Sequence, residues 1–105
     1  MDARLIYITT DSADEAQRIG RALVEERLAA CVNILDGMKS LYWWEGEVSE
    51  GDETVLIAKT RSSLVDALTE RVKALHSYSC PCVISVPLEG GNPDYLAWIA
   101  RETAR

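Results

Sequence analysis

The side chains best equipped for chemistry are Cys80 and Cys82, two thiols separated by Pro81, with the one histidine, His76, four residues before the first of them. In an extended chain, residues two apart point the same way, so both thiols can face one site. Two soft sulfurs and an imidazole suit Cu(I) or Zn(II). The spacing is not that of a structural zinc site, which uses pairs separated by two to four residues. The plainer reading is two small half-buried side chains flanking a turn proline, since free cysteine packs as a small hydrophobe. His76 falls where a helix should end, and there an imidazolium is stabilised by the helix dipole with no ligand at all. Cys31 lies in an apolar run and is expected in the core. No G-x-S-x-G, Walker A, H-E-x-x-H or G-x-G-x-x-G pattern occurs, and a lone histidine limits acid–base chemistry. A non-enzymatic role is expected.

Composition narrows the partners. The 105 residues carry 11 Lys and Arg against 17 Asp and Glu, a net charge of −6. That sign disfavours phosphate backbones. Phe is absent, so the aromatic motif of an RNA-recognition sheet cannot be written. No nucleic-acid partner is expected. No apolar run is long enough to span a bilayer, and no membrane association is expected. The first residues show no basic region followed by a long apolar stretch. Three cysteines, an odd count, fit reduced thiols in the cytoplasm better than a disulfide framework.

The elements that must position these groups follow from periodicity. Residues 1–105 read as a single domain. A β-prone run, Leu5 to Thr9, leads to Ser12, which stands three residues before Glu15 at capping-box spacing. Ala16, Ile19, Leu23 and Leu28 then recur at helical spacing, with the helix expected to reach about Arg27. A second strand spans Ala29 to Leu35, bends at Asp36-Gly37 and resumes from Ser40 to Trp44. A turn from Glu45 to Asp52 leads to a third strand, Glu53 to Thr60, and the pair forms a long hairpin. Ser62 or Ser63 is expected to cap a helix with Leu64, Leu68, Val72 and Leu75 as its buried stripe, ending near His76. Val83 to Val86 is a fourth strand. Asn92-Pro93 opens a last helix carrying Leu96 and Ile99. The order βαββαβ is the ferredoxin-like pattern: an α+β fold with two main helices on one face of an antiparallel sheet, an extended β2–β3 hairpin and a C-terminal helix.

The strand runs Leu5–Ile8, Val55–Ala58 and Val83–Val86 are nearly continuous in apolar residues, which predicts a sheet buried on both faces. Two helices cover only one. Trp43 and Trp44 are adjacent and must point to opposite faces of their strand. Tyr42, Trp43 and Trp44 on a long hairpin therefore read as an oligomer interface.

Several segments together resemble the CutA family of divalent-cation tolerance proteins. They are Glu26-Arg27-Leu28-Ala29-Ala30-Cys31-Val32-Asn33, Ser40-Leu41-Tyr42-Trp43-Trp44-Glu45-Gly46, Lys59-Thr60, His76-Ser77-Tyr78 followed by Pro81, and Tyr95-Leu96-Ala97-Trp98. They fall in the family's order and cover nearly the whole chain. The resemblance implies a homotrimer built like the PII signalling proteins and a link to copper and other divalent metals. Of the Cys/His/acid metal site the resemblance implies, only His76 is retained, with Thr10 where family members often have Cys and Cys82 where they usually have an acid; the metal set expected from this chain's own donors is His76, Cys80 and Cys82. The resemblance also implies a cleft between subunits lined by Lys59 and Tyr78. The competing expectation is a PII-like signalling or scaffold trimer that senses a small molecule in those clefts.

Overall fold

Local capping signals place the starts of two of the three long helices, Ser12 before the first and Asn92 before the last. The computed structural model describes residues 2–104. Its elements are β1 (Ala3–Thr10), α1 (Ala13–Glu25), β2 (Cys31–Trp44), β3 (Glu47–Arg61), α2 (Val65–Leu75), β4 (Val83–Pro87) and α3 (Pro93–Glu102). The four strands form one antiparallel sheet in the order β2-β3-β1-β4.

Ser12 caps α1 as its spacing predicts: its hydroxyl oxygen accepts the Glu15 N–H at 3.1 Å. The helix stops two residues earlier than expected. Arg27 takes φ +60°, and the N–H groups of Arg27 and Leu28 return to the carbonyls of Val24 and Leu23. This is a Schellman ending with arginine where glycine is usual. The Arg27 guanidinium reaches the Glu102 carbonyl at 3.2 Å, which ties the strained turn to the end of α3. At the other helix the expected serine cap is absent. Ser62–Leu64 form a short 3-10 turn, and α2 starts after Leu64 with no side-chain cap. Asn92 caps α3 as expected, accepting the Asp94 N–H at 3.0 Å.

β2 is continuous where two pieces were expected. Asp36 and Gly37 form a bulge opposite Thr54, with register passing from Leu35↔Val55 to Met38↔Glu53. Gly37 sits at φ +78°, a conformation that favours glycine. The turn predicted over Glu45–Asp52 shrinks to Glu45-Gly46, both at positive φ, and β3 already starts at Glu47. Such a two-residue turn matches the twist of the strands it joins.

The core lies on one face of the sheet. Ile6, Ile8, Leu56 and Ala58 pack against Ala16, Ile19 and Leu23 of α1 and Leu68 and Val72 of α2. α1 approaches the sheet closely because residue 20 is glycine: a Cβ there would meet Val32 Cγ2 at 2.9 Å. α3 crosses the opposite face at one end only. Arg61 donates to the Thr103 hydroxyl and the Ala100 carbonyl, and Tyr95 reaches Cys31. Beyond α3 that face is open. Leu35, Ile84 and Val86 are exposed on it, and the hairpin projects past the body with Trp43 75% exposed. Among the described residues no helix is long and apolar enough to cross a membrane.

Candidate functional site

The polar groups gather at the end of the sheet where β1 runs into α1. His76 follows α2, and its ring is fully buried against β1. The expected dipole contact is not made: the ring turns from its own helix to the Thr9 carbonyl, with Nε2 at 2.8 Å. Nδ1 accepts the Tyr78 N–H at 3.0 Å, so it carries a lone pair. Nε2 is the nitrogen that meets the Thr9 carbonyl. Both ring nitrogens are engaged.

Glu15 completes the arrangement. Its carboxylate accepts the Asp11 N–H at 3.0 Å and the Ser77 N–H at 2.9 Å, and lies 3.9 Å from Nδ1 of His76. Burial acts to raise its pKa. The bonds from Asp11 and Ser77 outweigh that effect and hold the carboxyl below its ordinary range. Tyr78 donates its hydroxyl to Glu53 at 3.0 Å and stacks at a tilt on His76. Burial first, then the Glu53 carboxylate, raises the Tyr78 phenol far above its ordinary value. Glu15 and Glu53 were not singled out by sequence as site residues. The capping spacing flagged Glu15, but its second role, clamping the segment after α2, depends on a contact 62 residues away.

The two thiols differ. Cys80 is exposed, whereas Cys82 is half-buried beside Thr9 and Glu53. Burial pushes the Cys82 thiol up; the Thr9 hydroxyl pulls it partly back, and Glu53 adds to the rise. Among the described residues no three His, Cys, Asp or Glu side chains gather where one cation would be held. The expected set of His76, Cys80 and Cys82 is therefore not assembled within one subunit. His76, as placed, has both ring nitrogens hydrogen-bonded, to Thr9 and to Tyr78. Thr10 is fully buried, with its hydroxyl 2.9 Å from the Thr54 carbonyl.

Lys59 lies elsewhere. It donates to Asn33 at 2.6 Å and sits over the Tyr95 ring, 5.8 Å from its centroid. Tyr78 bonds Glu53, six residues along β3, so the two groups are about 20 Å apart at strand spacing. Cys31 departs from its expected core position. Register pairs it with Lys59, on the face away from α1, and its sulfur lies 3.3 Å from the Tyr95 hydroxyl. That bond first, then burial, raises the Tyr95 phenol. Tyr42, Trp43 and Trp44 are all exposed near the hairpin tip. A groove of about 300 Å³ is separate from all of these; it runs between α1 and the β2 edge, lined by Gly20, Val24, Val32 and Ile34.

A βαββαβ sheet with helices on one face, a long projecting hairpin and a third helix on the other face defines the ferredoxin-like α+β class. Within that class the chain belongs to the CutA1 divalent ion tolerance protein family, whose pattern matches residues 4–102. It is 48% identical over 99 residues to the divalent-cation tolerance protein CutA of Thermus thermophilus, covering 94% of this chain and 96% of that one. The same identity holds with the chloroplastic protein CutA 1 of Oryza sativa, again over 94% of this chain, but the match spans only 56% of that longer relative. The crystal structure of CutA1 from Oryza sativa superposes with a TM-score of 0.96 at 46% identity, covering 99% of this chain and 95% of that one. The periplasmic divalent cation tolerance protein CutA from Archaeoglobus fulgidus superposes at 0.94 with 43% identity, covering 97% and 99%.

Proposed function

We propose that the chain acts in divalent-cation tolerance as a non-enzymatic, cytoplasmic homotrimer that binds copper. The observation that carries this reading is the unfilled apolar half of the subunit, within a family described by divalent ion tolerance. Leu41, Tyr42, Trp43, Trp44 and Val48 on the hairpin, with Leu35, Ile84 and Val86 on the open face, are all exposed, and exposed apolar side chains grouped in this way mark an interaction surface. A second and third copy would cover it. Three subunits are taken from the family resemblance. Cytoplasmic placement is supported by the three free thiols.

The partners in this reading are copies of the chain and metal ions, with no nucleic acid and no membrane. Copper follows from donor chemistry, since thiols prefer soft Cu(I). Cys80 and Cys82 are the proposed donors. His76 joins them only by giving up the Tyr78 N–H at Nδ1. Lys59 and Tyr78 are too far apart to share a cleft within one subunit, and assembly could bring Lys59 of one copy to Tyr78 of the next.

Native mass spectrometry under reducing conditions, with and without stoichiometric Cu(I), tests the reading. A trimer that retains copper supports it, and Cys80→Ser with Cys82→Ser should then abolish retention. A monomer overturns the assembly. A trimer that stays metal-free overturns copper binding and favours the second reading, a PII-like signalling or scaffold trimer sensing a small molecule between subunits. The self-satisfied bonding of His76, Glu15 and Tyr78 favours that alternative, because no ring nitrogen waits for a metal. A metabolite, and no metal, should then raise the melting temperature.

A further inference from the structure

We infer that Cys80 and Cys82 form a reversible disulfide with each other by exchange with a small-molecule disulfide, making this segment a thiol-modification site. Both are free thiols separated by one residue, in the connection between α2 and β4. Two residues of chain span at most about 7 Å, the upper end of what a disulfide bridges. The chain bends at Cys80, and neither cysteine belongs to a strand. Pro81 has no N–H to lose, so closing the bridge breaks no sheet hydrogen bond of its own.

Exposure sets the order of events. Exposed Cys80 loses its proton to solvent and attacks the incoming disulfide, releasing one small thiol and leaving a mixed disulfide on Cys80. Half-buried Cys82 then loses its proton and attacks the Cys80 sulfur, expelling the second small thiol. One disulfide is reduced to two thiols, and two protein thiols are oxidised to one disulfide. A bridge across a single residue is strained, and strained disulfides are the more readily reduced ones. The same thiols are the proposed copper donors, so oxidation would withdraw them from the metal; that consequence alone rests on the function proposed above.

The test uses metal-free wild-type protein in glutathione buffers of stepped ratio, quenched with acid and alkylated. Trypsin releases residues 74–101 with both cysteines and residues 28–39 with Cys31. Oxidising buffers should yield the 74–101 peptide two hydrogens lighter and unalkylated, with Cys31 still alkylated, and dithiothreitol should reverse the change. Cys82→Ser should instead stop at glutathione on Cys80. A wild-type peptide that stays fully alkylated, keeps glutathione, or links two chains overturns the inference. Cu(I) retention, measured separately on reduced protein, tells failure of the metal reading from failure of the disulfide.

Discussion

The two faces of the sheet carry similar side chains at very different depths. On the helix face Ile6, Ile8, Leu56 and Ala58 are fully buried. On the other, beyond α3, Leu35 is 58% and Ile84 53% exposed. Hydrophobic character is therefore a poor guide to which face a single chain buries. The helix face is complete within one subunit. The open face and the hairpin leave large apolar side chains exposed. Stability of the fold and stability of the assembly should accordingly respond to different substitutions.

The largest expected effect is on the helix face. Leu56→Ala should cost about 2–5 kcal/mol through lost burial and the cavity left behind. Urea unfolding measures it, and a cost near zero would show that the core is not where it has been placed. Next, the double substitution Trp43→Ala, Trp44→Ala should weaken association by roughly 2 kcal/mol or more, as for aromatic interface anchors. Far-UV circular dichroism should stay unchanged while sedimentation shows smaller species. An assembly of unchanged mass would erase the distinction between the faces. Gly37→Ala should be milder, about 1 kcal/mol, because open space surrounds the site and only the positive φ is penalised.

The smallest effect is a pH dependence at the bulge. The Thr54 hydroxyl, and then the Gly37 N–H, hold the Asp36 carboxyl below its ordinary value of 3.8. A depressed carboxylate contributes stability above its unfolded pKa and loses it as pH falls through the lower folded one. Amide exchange at Gly37 should therefore quicken as pH drops below about 3.8, relative to a strand residue remote from the bulge. Asp36→Asn should remove that relative change. Equal behaviour in both proteins would show that the carboxylate does not pin the bulge.

Much of this architecture was legible because local signals act locally. Ser12 and Asn92 announce their helices through bonds made within a few residues, and Gly37 marks its own bulge. Face assignment was less legible. Cys31 sits in an apolar run that could have faced either side, and only its pairing with Lys59 decides. His76 could have capped α2; the Thr9 carbonyl, 67 residues away in sequence, competes successfully for its ring. The turn length was misread because Glu45 adopts a positive φ that its residue type does not advertise. The site thus depended on long-range contacts, while the elements that carry it did not.

The bulge at Asp36-Gly37 works like a frameshift in a code read two letters at a time. Before it, odd-numbered residues of β2, such as Cys31 and Leu35, share a face with Lys59 and Val55; after it, even-numbered Met38 stands opposite Glu53 on that same face. Every residue onward inherits the new frame, so Trp44 lies on the open side of the hairpin and Trp43 on the reverse. If Gly37 were instead paired as a regular strand residue, with the bulge lost, the two tryptophans would exchange faces without either one being altered. The body and the arm of this subunit are therefore separate texts joined at one punctuation mark, and substitutions can accumulate in one without scrambling the meaning of the other.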